Sequence, residues 1–489
     1  DSPSRLSRTV RYGKNHGLLG TAIGFLPSHD HLFVRPNDVF HIAASLPYQS
    51  RSAHMRIALF GPSLFELAVG LRNIPGNTVE FFVDERSGLL DRELRDEPLI
   101  SEPKFARIGA WYSPSAFLNP RSSLIAQELG RFDAIICSDL GPLFATYSGV
   151  PFVFLPCGGD LTAAPFPLRA LSFRLKGMAG SIRLKHLIAD PIRSLRMRRG
   201  IKNATSVWLF SGPFKPWLAA IDRLGLKRPT DSECLHAAID TDVFSPLPSA
   251  SPSDSPLRIF HPSRLMISQS RTNTETGQWK QNDVLLHGIA IAISQGINVR
   301  LTLIRHASAV DEAVADSLIR NLGLHDRIDW LRAVNPNGFS WRELAEHYRS
   351  TDIVADDFGA GWFGTVALEG AACGKPVIQP VDEDAMRILY PDGHPFLRAS
   401  NPSEVAELLG RLQDKHARDK IGEKSRVWAH RHHNPDSVAR RCMEMLEQLD
   451  LPTRKHGPNP RLPNIQDEEP SLTANNRKPP ATPPLESRD

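Results

Sequence analysis

No run of about 18 consecutive apolar residues, the length a bilayer-spanning helix requires, occurs in the 489-residue chain. The first residues show no charged segment followed by an apolar one, so neither a membrane span nor an export signal is expected. Cysteine is scarce and unpatterned. Cys137, Cys157, Cys234, Cys373 and Cys442 are odd in number, far apart and without a CxxC pair. That excludes a disulfide framework and fits free thiols in a reducing cytosol. A surplus of one charge is missing as well. The 58 Lys+Arg stand against 54 Asp+Glu, and a formal charge of +4 is too small to argue for nucleic acid unless it is concentrated.

What the chain does contain is enough length for two cores and a repeating order of short apolar runs and helical patterns. The first half offers strands in "RIALF" (56–60), "VEFFVD" (79–84), "FDAIIC" (132–137), "PFVFLP" (151–156) and "SVWLF" (206–210). The second half offers "LRIFHP" (257–262), "VRLTLI" (299–304), "RIDWL" (327–331), "DIVAD" (352–356) and "PVIQP" (376–380). Near-continuous apolar strands separated by helices are those of parallel sheets covered on both faces. The fold class is therefore α/β, with two Rossmann-like parallel-sheet domains facing a central cleft. Residues 55–244 form the expected N-terminal domain, 245–256 a linker rich in Ser and Pro, and 257–449 the C-terminal domain. Residues 1–54 are read as a disordered extension upstream of an expected start at Met55, and 450–489 as a disordered tail too polar and proline-rich to order. Ligands in open parallel sheets sit beyond the carboxyl ends of the strands, which places one site in the cleft.

The stretch "DDFGAGWFGTVALEGAACGKPVI" (356–378) reads as strand end, glycine turn, helix and strand. Amides of such a turn, backed by the positive end of a helix, suit a phosphate. Gly359, Gly361 and Gly364 would permit its close approach. Glu369, about one turn into the helix, can accept hydrogen bonds from ribose hydroxyls. The pattern points to a nucleotide.

This stretch resembles the donor-site signature of family 4 retaining glycosyltransferases, enzymes of GT-B fold that move a sugar from a nucleotide diphosphate to an acceptor. The resemblance runs over roughly 55–449 and includes "FHPSR" (260–264), "KQNDVLLHGIAIA" (280–292), "AAIDTDVFSP" (237–246) and "GVPFVFLPCGGD" (149–160). It implies that Arg264 and Lys280 serve the donor diphosphate, with Arg271 an alternate because 16 positions separate the pair. It further implies that Gly361, Trp362, Phe363, Gly364, Thr365 and Glu369 line the nucleotide-sugar site, Trp362 as wall. Two departures stand out. Gly361 occupies the place of a usual first glutamate, so Asp356 or Asp357 is the candidate replacement. Cys157, Gly158, Gly159 and Asp160 occupy the loop where many relatives have a histidine, and Asp160 is the candidate substitute.

The charge is concentrated in residues 169–202, where ten cations face only Asp190. Apolar residues recur between them at helix-compatible spacing, which reads as a basic amphipathic element for an anionic membrane surface rather than for nucleic acid. "DTD" (240–242), "DED" (382–384) and "HRHH" (430–433) tempt as metal ligands, but loop acids and a histidine run that fans around a helix are the reading, and no metal is expected. The resemblance thus implies a retaining glycosyltransferase with a nucleotide sugar as substrate, no cofactor, and a glycan or lipid-linked acceptor. It would be cytoplasmic, peripheral on the inner face of the membrane. A nucleotide-sugar epimerase of the same fold and a catalytically silent nucleotide-sugar-binding or membrane adaptor are the alternatives.

Overall fold

The computed structural model describes residues 54–170, 180–210, 212–247, 256–305, 309–335, 338–359 and 361–449. The expected extension, most of the expected linker, the expected tail and residues 171–179 of the basic element lie outside the described residues.

In the first half the strands are β1 (Arg56–Phe60), β2 (Thr78–Asp84), β3 (Ala106–Gly109), β4 (Ala134–Cys137), β5 (Phe152–Phe154), β6 (Ser206–Val207), β7 (Leu209–Phe210) and β8 (Cys234–Leu235). In the second they are β9 (Leu257–His261), β10 (Val299–Ile304), β11 (Ile328–Leu331), β12 (Ile353–Ala355), β13 (Val377–Gln379) and β14 (Leu397–Arg398). Two six-stranded sheets result, ordered β3-β2-β1-β4-β5-β6 and β11-β10-β9-β12-β13-β14, with β7 and β8 as a separate pair. The pairings are parallel, as in Ile57↔Val79 and Ile57↔Ala134. The expected α/β two-sheet class is borne out. Ile57, Ala58, Leu59 and Phe60 are all fully buried, because helices cover both faces of the sheet.

Three local differences have physical reasons. β3 and β14 sit on sheet edges and carry too few apolar residues to stand out as strands. The single run expected over 206–210 is broken at Trp208, and its halves join different sheets. The last helix, Pro435–Glu447, packs Val438, Ala439, Cys442, Met443 and Leu446 against the core of the first sheet, so this end of the 257–449 stretch belongs by packing to the first lobe. Gly70 admits it: a Cβ there would stand 2.2 Å from the Pro435 carbonyl oxygen.

Both sheets reverse strand order at their first strand, and the loops that follow β1, β9 and β12 wall one cleft. Such switch points are where open parallel sheets bind ligands.

Candidate active site in the cleft between the sheets

A cavity of about 620 Å³ opens between the lobes, walled by the loop after β1 (Pro62, Ser63), by Glu66 and Glu93, and across the cleft by Trp341, Tyr348, Thr365 and Glu369. A second, of about 340 Å³, shares Ser63, Ala238 and Thr365 with it and is walled by Cys157, Gly158, Lys280, Asp356, Asp357, Trp362, Phe363 and Gly364. The two are adjoining parts of one cleft.

The helix Thr365–Ala372 starts at Gly364 without a side-chain cap, leaving its first amides to other partners. Glu369 sits past its first turn and is only 7% exposed, so it is no solvated helix residue. Its Oε2 accepts a hydrogen bond from the Tyr348 hydroxyl at 2.7 Å. Burial pushes its carboxyl up to about 8, against the lowering effect of that hydroxyl.

The acids after β12 divide the work of holding the turn. Asp356 accepts from Ser263 Oγ at 2.7 Å and from the Gly364 amide at 3.1 Å, and so clamps the far end of the glycine turn to the loop after β9. Asp357 accepts from the Gly359 amide at 2.8 Å and forms an ion pair with Lys280. Burial raises the Asp357 carboxyl while Lys280 opposes that rise. The expectation of turn amides presented to a phosphate is therefore corrected in part: the Gly359 and Gly364 amides are taken by the chain's own carboxylates. The three glycines also differ in kind. Gly361 has φ +66°, the left-handed region that glycine adopts without strain. Gly359 is needed for space, since a Cβ would lie 1.9 Å from the Trp279 carbonyl oxygen.

Lys280, Asp356, Asp357, Trp362, Phe363, Gly364 and Thr365 are thus brought to one cavity and Glu369 to its neighbour. Trp362 stacks on Phe363 with ring centroids 5.1 Å apart, and Phe363 continues into the aromatic cluster of Phe396 and Trp428. Arg264 is exposed and donates to Gln278 Oε1 at 2.8 Å, and Gln278 rather than Arg264 walls the smaller cavity. Arg271 is exposed on the short helix Arg271–Glu275 and bonded to Glu275 at 2.8 Å, away from both cavities.

Asp160 departs most from its expected role. It is 6% exposed and accepts from the amides of Cys157, Gly158, Leu161 and Asp139 at 2.8 to 3.1 Å. Both oxygens are engaged in folding the loop, and it is Cys157 and Gly158 that reach the cavity. The carboxylate shapes the first-lobe wall of the smaller cavity instead of facing the cleft, and it also helps drive neighbouring Asp139, raised chiefly by burial, up to about 6.

Sequence reading missed several partners. His261 bridges the Ala355 carbonyl and Asn282, each at 2.8 Å, and ties β9 to β12 and to the helix Asn282–Ser294. Ser263 lay inside "FHPSR" but carries no mark of its bond to Asp356. Tyr348 reaches Glu369 from 21 residues away, with no local signal. Among the described residues no cluster of three or more metal-ligating side chains occurs. Asp240 caps its own turn, Asp382 caps the helix Glu383–Leu389, and buried His433 bonds the Ala237 carbonyl at 2.7 Å.

In the basic element the helix Gly180–Lys202 buries Asp190, Ser194, Met197 and Ile201, while Ile192 and Leu195 are 47% and 59% exposed. The expected apolar face is therefore turned outward at these two positions, because the helix packs on the helix Pro142–Ala145 through small residues such as Gly200. Arg193 lies over the Phe117 ring and pairs with Asp190, and Arg196 donates to the carbonyls of Phe117 and Leu118. Those two cations are committed to the lobe, whereas Arg199 is exposed.

No family model matches the chain. A stretch of 104 residues, 20% of this chain and 22% of the relative, is 36% identical to a D-inositol 3-phosphate glycosyltransferase of Rhodococcus erythropolis. A stretch of 188 residues, 36% of this chain and 41% of the relative, is 30% identical to a protein of the same name from Xylanimonas cellulosilytica. The chain therefore spans 22% to 41% of the length of these relatives. A sucrose-phosphate synthase from Thermosynechococcus elongatus superposes with a TM-score of 0.50 at 14% identity, over 81% of this chain and 99% of that one. A glycosyltransferase from Rickettsia africae does so with a TM-score of 0.52 at 16% identity, over the same shares. At such identities the likeness is one of fold: the two facing parallel-sheet lobes of this chain have the GT-B arrangement.

Proposed function

We propose that this chain is a retaining glycosyltransferase that takes a nucleotide diphosphate sugar as donor and passes the sugar to a glycan or lipid-linked acceptor. The observation that carries the reading is the buried carboxylate of Glu369, one cavity wall away from the Lys280–Asp357 pair, in the second turn of an uncapped helix. A nucleoside fits the larger cavity with its ribose hydroxyls on Glu369, and the diphosphate and sugar fit the smaller one. The relatives are glycosyltransferases, which supplies the group-transfer class.

In retaining transfer the bond between the sugar's anomeric carbon and the diphosphate oxygen breaks, and its electrons pass to that oxygen. The acceptor hydroxyl adds to the same face, and its proton goes to the departing phosphate. Charge gathers on the diphosphate, so fixed cations lower the barrier, each well-placed donor by about 3 kcal/mol. Lys280 is the cation in the cavity and Arg264 supports it from the rim. Asp357 holds Lys280 until the diphosphate competes for it, and Asp356 keeps the turn in place beneath the sugar. The first amides of the helix Thr365–Ala372 add a favourable dipole.

Hydrolysis of a panel of nucleotide sugars without acceptor tests the reading. Slow release of free sugar from one donor, lowered about a hundredfold but still measurable in Lys280→Gln, is the expected result. Nucleotide-sugar binding without turnover would identify a silent binding protein instead, and inversion at another sugar carbon an epimerase.

An anionic membrane surface is the partner favoured by exposed Ile192 and Leu195 beside Arg199, since apolar side chains flanked by cations suit the headgroup boundary. That placement would bring a lipid-linked acceptor to the first lobe.

A further inference from the structure

The segment between β9 and Lys280 passes from one lobe to the other and back. Its middle is the helix Arg271–Glu275, and Glu275 collects three arginines. Arg169 and Arg223 come from the first lobe, Arg223 at 3.6 Å, and Arg271 from its own helix at 2.8 Å. Arg169 is the most enclosed of them, its side chain only 12% exposed, and it also donates to the Thr162 carbonyl at 3.0 Å. Next along the chain, the carbonyl of buried Thr276 accepts from buried Thr162 Oγ1 at 3.4 Å. Gly277, at φ +69°, lies so close to the first lobe that a Cβ would stand 2.5 Å from the Phe214 ring.

The other end of the same segment builds the site. Gln278 and Lys280 wall the smaller cavity, the Lys280 carbonyl accepts from the Phe358 amide at 3.0 Å, and the Trp279 carbonyl presses on Gly359. Four residues lie between Glu275 and Lys280, and the turn there is closed by the amides of Gln278 and Trp279, both donating to the Asn273 carbonyl. Such a short hydrogen-bonded strap transmits displacement.

We propose that Glu275 is a positioning residue: through its ion pairs with Arg169 and Arg223 it sets Lys280 against the glycine turn, so that the diphosphate-binding cation is in place only while the lobes are closed. Arg271, 90% exposed, contributes little to this, since an exposed pair is screened by solvent. The inference rests on the proposed transferase reading for what Lys280 does, but the coupling itself does not.

The test is a double-mutant cycle. Glu275→Gln should lower kcat for donor hydrolysis about tenfold with little change in KM, because misplacing a catalytic group by even an ångström is costly. In the Lys280→Gln background the same change should have less than about a twofold effect, since the two act through one step. Equal effects in both backgrounds, or none in the parent, would overturn the proposal. Hydrogen exchange provides a readout that needs no activity. Glu275→Gln should speed exchange of the amides of 278–280 and of 157–162 together, and Arg169→Lys, which keeps the charge, should largely spare them. Unchanged protection in a folded Glu275→Gln protein overturns the coupling whatever the enzyme's donor proves to be. Absence of hydrolysis in the parent with faster exchange in the variant overturns the transferase reading alone.

Discussion

Glu369 offers a prediction that stands on burial and linkage alone. The carboxyl titrates near 4.5 in an unfolded chain and is pushed up to about 8 in the fold by burial. Folding thus favours the protonated acid. The stability it contributes is fully present below about pH 4.5 and is lost as the pH rises through about 8. At about 1.4 kcal/mol per pH unit, that span amounts to about 5 kcal/mol. Glu369→Gln is neutral throughout and keeps an acceptor for the Tyr348 hydroxyl. In urea denaturation across this range, the variant should gain on the parent steadily as the pH rises, and the gap should level off above about 8. Parallel stability curves would refute the reasoning, because they would mean that the group ionises alike in both states. A ligand consequence follows from the same balance. Ribose hydroxyls donate to an ionised carboxylate, so nucleotide binding should release a proton and strengthen with pH up to about 8. In Glu369→Gln the pH dependence should vanish and affinity at high pH should fall by about 1.5–3 kcal/mol, the worth of a charge-assisted bond. Calorimetry in buffers of different ionisation enthalpy reads both effects, and pH-independent affinity of the parent would remove Glu369 from the ribose.

Gly359→Ala puts a methyl 1.9 Å from the Trp279 carbonyl oxygen, so it should destabilise by about 1–3 kcal/mol and weaken donor binding, seen as a lower thermal midpoint and a smaller donor-induced shift. Asp160→Asn replaces one accepting oxygen by a donor facing amides, and urea denaturation should show a loss of about 1–3 kcal/mol, with activity affected through the loop's shape. Replacing Ile192, Leu195 and Arg199 together by Ser should weaken sedimentation with anionic vesicles while leaving the fold intact, because none of the three is buried. Adding Arg193 and Arg196 to that set should instead lower stability, since both are bonded within the lobe.

Local pattern was enough for the architecture and for the position of the glycine turn. Apolar runs such as "RIALF" and "DIVAD" show their burial on both faces in the sequence itself, and a turn between strand and helix must declare its glycines. Of the strands that escaped, β3 and β14 lie at sheet edges where burial is partial and the pattern fades, and β8 is only two residues long. Side-chain roles were decided by tertiary structure, because they depend on partners distant along the chain. Glu369 and Asp160 look alike in sequence, each a single acid after glycines. Packing gives one a place in the cavity wall beside Tyr348, and surrounds the other with amides of its own loop. The same holds for the arginines of 193–199: charge can be counted from sequence, but only the packing of their helix on the lobe decides which cations are committed to carbonyls and rings and which face water.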